Sequence, residues 1–170
     1  NFDLIKNIKQ FPNIKLFENL GVDISDDDQI IKNYIKVQNT FCNKNSVQFL
    51  KTHSYLFNFY NKYSFTNLNN SIGVIYIVRD PRNIVTSFSK FANISNEEVT
   101  KKMINEIYFG GDANSENIAD RIKVWTGTWS QNFNSWKSFT YQERYLLIKY
   151  EDLIENTEKI FLKILEFVHK

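Results

Sequence analysis

The run "IGVIYIV" at residues 72–78 constrains this chain more than any other segment. It is a continuous β-branched and aromatic stretch without polar alternation, which suits a strand covered on both faces, as in a parallel sheet. It stops at Arg79, Asp80 and Pro81. Asp80 is placed as an N-cap and Pro81 as the first residue of a helix running to about Phe91. Two further strands are expected: a short one in "SVQFLKTHS" (46–54) ending near Leu50, and "YLLIKY" (145–150). Between and around them the pattern is helical. An acidic "SDDDQ" (25–29) caps "QIIKNYIKVQNTF", and Ser95 with Glu98 forms a capping box for a helix to about Tyr108. Ile122, Trp125, Trp129, Phe133 and Trp136 mark one long helix from Ile118 to Phe139, and "NTEKIFLKILEFVHK" closes the chain as an amphipathic helix. Strands separated by helices predict an α/β fold, a parallel β-sheet flanked by helices. With no internal repeat or linker, residues 1–170 are expected to form a single domain.

Composition narrows the partners. The formal net charge is +2, so no global field points to nucleic acid, and an anion site has to be local. Cys42 is the only cysteine, which excludes an internal disulfide and fits a reducing compartment. No apolar stretch approaches a membrane span, and "NFDLIKNIKQF" is not a signal peptide. A cytoplasmic protein is expected. The chain starts at Asn1 and stops at Lys170 within a helical pattern, and both natural ends are expected to lie outside it.

In parallel α/β sheets ligands bind beyond the carboxyl ends of the strands. Lys51 to His53, Arg79, and Lys149 with Tyr150 all fall at such ends. Arg79 offers a planar, permanently charged fork suited to a phosphate. Ser87, two turns into the following helix, offers a hydroxyl. The alternative is that Arg79 pairs with Asp80 or a neighbouring helix and Ser87 merely packs. His53 follows Lys51 by two residues. A histidine titrating near neutrality can take a proton from a hydroxyl, and an ammonium can stabilise negative charge, but a lone histidine also serves structural roles. Tyr150 either stacks on a base or belongs to the core. His169 reads as a solvated residue.

Read in order, "KTHS" (51–54), "VIYIVRDPRNIVTSFSKF" (74–91), "GTWSQNFNSWKSF" (127–139) and "LLIKYEDLIENTEKIFLKILEFV" (146–168) resemble the sulfotransferases that use 3′-phosphoadenosine 5′-phosphosulfate (PAPS), the cytosolic type and its bacterial relatives. The resemblance implies a parallel sheet like that of P-loop kinases, and sulfuryl transfer to a hydroxyl or amine of a small-molecule acceptor, without a metal, leaving adenosine 3′,5′-bisphosphate. It also implies that Arg79 and Ser87 bind the 3′-phosphate, that His53 is the general base with Lys51 near the sulfuryl group or acceptor, and that Tyr150 stands near the adenine. Two departures follow. Residues 1–45 hold no match to the family's "YPKSGTTW"-like phosphosulfate loop, and its C-terminal "RKG" segment is expected beyond Lys170. "GTW" at 127–129 lies inside the expected long helix and is no substitute, and Asn132 stands where relatives often carry histidine. A P-loop-type small-molecule kinase and a non-catalytic nucleotide-binding relative are the alternatives. The kinase needs a G-x-x-x-x-G-K-[ST] segment, which does not occur.

Overall fold

A computed structural model describes residues 9–41, 47–105, 107–112 and 114–169. Cys42, and Ser46 at the start of the expected first strand, lie outside them. In chain order the elements are β1 (Lys9–Gln10), α1 (Ile14–Glu18), α2 (Asp27–Phe41), β2 (Leu50–Lys51), β3 (Asn58–Phe59), β4 (Tyr63–Ser64), β5 (Val74–Val78), α3 (Pro81–Ala92), α4 (Asn96–Asn105), α5 (Trp129–Trp136), β6 (Tyr145–Lys149), α6 (Tyr150–Glu155) and α7 (Thr157–Val168). Short 3₁₀ turns cover Ile118–Arg121 and Lys137–Gln142. The architecture is mixed α/β, with parallel strand pairs flanked by helices. It divides into two compact units, Asn1–Asn70 with Ile107–Gly127, and Ser71–Glu106 with Thr128–Lys170.

The first unit is built on aromatic packing. Asp26 caps α2, its carboxylate accepting from the backbone N–H groups of Asp28 and Gln29. The buried face of α2 presents Ile30, Ile31, Tyr34, Val37 and Gln38. Tyr34 meets Phe57 edge-on at 5.0 Å between ring centroids, and Phe11, Phe17, Phe65 and Trp125 surround it. Such edge-to-face contacts add to the apolar area buried. Gln38 is buried on the same helix face, but its amide is satisfied: it donates to the Phe65 carbonyl and accepts from the Thr66 hydroxyl. β1 pairs in parallel with β2, Gln10 opposite Lys51.

The second unit carries the strand that the sequence marks most clearly. β5 and β6 pair in parallel over five positions, from Val74 opposite Tyr145 to Val78 opposite Lys149. Leu146 and Ile148 are buried. The Tyr76 hydroxyl donates to Asn132 Oδ1 at 2.9 Å, tying β5 to α5. Asp80 caps α3 by accepting from the Arg82 N–H at 2.9 Å, with Pro81 at the first helical position. Phe167 of α7 lies across Gly73, where an added Cβ would meet its ring at 3.1 Å.

Three sequence expectations need correction. The single helix from Ile118 to Phe139 does not form. The chain makes a 3₁₀ turn, pairs Val124 with Phe109 as an antiparallel bridge, turns at Gly127 with φ +63°, and only then enters α5. Gly127 adopts a left-handed conformation that ends any continuous helix. Thr128 caps α5, its hydroxyl accepting from the Gln131 N–H while the Gln131 side chain accepts from the Thr128 N–H. "GTW" is therefore a helix entry rather than helix interior. Ile122 and Trp125 are buried in the first unit's packing instead of sharing a helix face with Trp136. Second, the strand expected to end near Leu50 is Leu50–Lys51, and its partner is β1, where no strand was expected. Third, the last strand ends at Lys149, and Tyr150 opens α6.

Phe57 is 1% exposed, at the centre of the first unit's ring cluster. Phe57→Ala is expected to lower unfolding free energy by about 3–5 kcal/mol, and Phe57→Leu by less, in urea titrations. Equal, small losses for both variants would contradict this packing.

Candidate functional site

Register dictates the first cluster. Because Val78 stands opposite Lys149, the next residues along the two parallel strands, Arg79 and Tyr150, leave the sheet side by side. The Arg79 guanidinium carbon lies over the Tyr150 ring, 4.6 Å from its centroid. That cation–π contact is worth about 0.5–2 kcal/mol and fixes the fork. Arg79 Nε is buried and has no hydrogen-bond partner among the described residues. A buried, unpaired N–H costs about 1–3 kcal/mol, so this atom is stored in a state that an anion would improve.

The alternative of an Arg79–Asp80 pair is not what forms. Asp80 is taken by Arg82, whose Nε donates to both carboxylate oxygens at 3.0 and 3.2 Å and whose Nη2 donates to Oδ2. The Arg82 hydrogen bonds hold the Asp80 carboxyl down at about 2. Asp80 is thus occupied as a cap and ion pair, and Arg79 keeps its charge for something else.

A surface depression of about 440 Å³ is lined by Arg79, Asn83, Thr86, Ser87 and Lys90. These are positions i, i+4, i+7, i+8 and i+11, one face of α3 read from its N-terminal end. The lining holds two cations, two hydroxyls and an amide, and no carboxylate. The structure therefore brings Arg79 and Ser87 to one depression without a carboxylate in its lining, with Arg79 over the Tyr150 ring. Asn83 and Lys90 were not singled out from sequence. The helical spacing from Arg79 is the signal that would have found them.

The second cluster lies in the other unit. Lys51 ends β2, and His53 follows two residues later in the chain's exit from that strand. The Thr52 hydroxyl accepts from the Ser54 N–H at 3.0 Å, and the Tyr55 N–H donates to the Trp125 carbonyl at 2.9 Å. These bonds hold the backbone on both sides of His53. The Phe109 ring stands 6.1 Å from the imidazole, on a segment fixed by its paired bonds to Val124. Withdrawal from water, and secondarily the Lys51 charge, lower the His53 pKa below its ordinary 6.5. The imidazole is therefore neutral at pH 7 and able to accept a proton. His169 is exposed at the end of α7. Among the described residues no three His, Cys, Asp or Glu side chains come together as a metal would require. No described helix is long and apolar enough to cross a membrane.

The profile of the sulfotransferase domain family matches residues 3–170. Curated relatives share shorter stretches. A 3-beta-hydroxysteroid sulfotransferase of Cavia porcellus is 28% identical over 100 residues, covering 57% of this chain and 31% of the relative. A 3-alpha-hydroxysteroid sulfotransferase of the same species is 29% identical over 100 residues, again 57% of this chain and 31% of the relative. Sulfotransferase 1A1 of Rattus norvegicus is 30% identical over 101 residues, 59% of this chain and 32% of the relative. The matched stretch spans about a third of the length of each.

An NMR titration of the His53 ring is expected to give a midpoint below 6.5, and Lys51→Met to raise it only part of the way back, because shielding is the larger cause. A wild-type midpoint at or above 6.5 would remove the case for a neutral base.

Proposed function

The chain belongs to the sulfotransferase domain family, and on that premise we propose that it transfers a sulfuryl group from PAPS to a hydroxyl or amine of a small-molecule acceptor. The observation that carries the donor half is Arg79: a guanidinium stacked on Tyr150, with a buried unpaired Nε, lining a depression that also holds Ser87. Those features fit a phosphate monoester. Arg79 supplies charge and directed donors, Ser87 a neutral donor, and Tyr150 holds the fork and lies near the adenine. When bound, the nucleotide supplies an activated sulfuryl group and a stable leaving group.

His53 takes the proton from the acceptor's hydroxyl or amine as its bond to sulfur forms. Its depressed pKa supports the role, because the neutral imidazole is the form that accepts. The Lys51 ammonium stabilises negative charge near the sulfuryl group. The hydroxysteroid names of two relatives favour a hydroxyl over an amine as the acceptor group. The chemistry asks nothing of a metal, since lysine, arginine and histidine cover charge and proton. The setting proposed is a cytoplasmic one, where PAPS is available.

Calorimetric titration of the full chain tests the donor. Adenosine 3′,5′-bisphosphate is expected to bind more tightly than ADP or 5′-AMP. Arg79→Ala is expected to weaken it about 10- to 100-fold, the equivalent of one charge-assisted hydrogen bond. Equal affinity for all three nucleotides would overturn the reading, and preference for ADP with Mg²⁺ would favour phosphoryl transfer instead. With PAPS and a panel of alcohols, phenols and amines, His53→Ala is expected to lower kcat about 10²- to 10⁴-fold while nucleotide binding is unchanged. Full turnover in His53→Ala would remove it as the base.

A further inference from the structure

We propose that Lys90 is the second cation of the α3 depression and that, with Arg79, it fits the site to a phosphate monoester carrying two negative charges rather than to a singly charged ester. The inference rests on the nucleotide reading above and deepens it.

Lys90 lies 11 positions after Arg79, yet both line the same depression. Helix geometry explains how. Side chains on an α-helix lean toward its N-terminus, so Lys90 extends back over the turn that carries Thr86 and Ser87. One end of the depression is therefore a rigid guanidinium and the other a mobile ammonium. Between them lie the Asn83 amide and two hydroxyls, of which Thr86 is partly spent on the Arg82 carbonyl at 3.3 Å. No carboxylate lines the depression, and Asp80, the chain neighbour of Arg79, is held by Arg82.

Two ordinary roles for Lys90 are already filled or absent. A lysine in the last turn of a helix often serves the unpaired carbonyls there. In α3 that end is closed by backbone: Asn93, left-handed at φ 54°, donates its N–H to the Ser89 carbonyl, and the Ile94 N–H also reaches that carbonyl at 3.2 Å. The Ser89 hydroxyl donates to the Ile94 carbonyl at 2.6 Å. The other role is an ion pair along the helix, as Lys101 makes with Glu97 on α4. The neighbours of Lys90 at three and four positions are Ser87, Thr86, Asn93 and Ile94, none acidic. Among the described residues it makes no salt bridge. Its charge is left facing the depression.

The test is calorimetric, at pH 7.5 and low salt, on the full chain. The probes are adenosine 3′-monophosphate, a dianionic monoester, and adenosine 2′,3′-cyclic monophosphate, a singly charged diester of the same nucleoside. Wild type is expected to prefer the monoester. Lys90→Met is expected to cut that preference about three- to tenfold, Lys90→Arg to keep it, and 0.15 M salt to narrow the difference between Lys90→Met and wild type, since the ammonium is exposed. Lys90 is on the surface, and circular dichroism of each variant checks that the fold is retained. An undiminished preference in Lys90→Met, with binding still lost in Arg79→Ala, would overturn the role of Lys90 and leave the nucleotide reading standing. No preference for the monoester in wild type would overturn both.

Discussion

The parallel pairing of β5 with β6 is the constraint on which the Arg79–Tyr150 geometry depends. The side-chain period of a strand is two, so a slip of one position would turn the residues of one strand to the other face. The five-position register holds because Leu146 and Ile148 are buried and Tyr76 is anchored through its hydroxyl to Asn132 on α5. Burial pushes the Tyr76 phenol up to about 12, so it remains a donor across the physiological range. With the register fixed, Arg79 and Tyr150 must emerge together. The fork needs no long-range network to hold it, only two strands that end at the same level.

The Arg79 and His53 clusters are each prepared by a different physical device. Arg79 is prepared by its place over the Tyr150 ring and by an unmet hydrogen bond, while Asp80, its chain neighbour, is paired with Arg82. His53 is prepared by partial withdrawal from water and by a neighbouring cation, both of which disfavour imidazolium.

Much of this was legible in the sequence where one local rule decided the outcome. The Asp80–Pro81 start and the Ser95–Glu98 capping box each have a local cause and appear in the structure; the apolar run forms β5, but with Ile77 51% exposed it is not covered on both faces as expected. The errors share a different cause. Ile122, Trp125, Trp129, Phe133 and Trp136 recur at helical spacing, but the period was produced by two separate packing surfaces: Ile122 and Trp125 belong to one unit and Trp136 to the other. Gly127 and the Thr128–Gln131 capping box marked the break, and both are readable signals that the aromatic spacing outweighed. β1 was missed because a two-residue strand leaves no periodicity to read.

Site residues follow the same division. Arg79, Ser87 and Tyr150 could be named because strand ends and helix starts locate them, but Asn83 and Lys90 become visible only when α3 is seen as one surface. The distinction between arginine and lysine at the two ends of that surface is itself informative. Arg79 lies where the backbone leaves a sheet and is held over a ring, so its planar fork of donors is restrained. Lys90 lies on a flexible stem over the preceding turn, so it contributes charge without fixing direction. A site built this way takes its orientation from the sheet end and adjusts its charge from the helix. It accordingly asks more of the register of β5 and β6 than of any single side chain on α3.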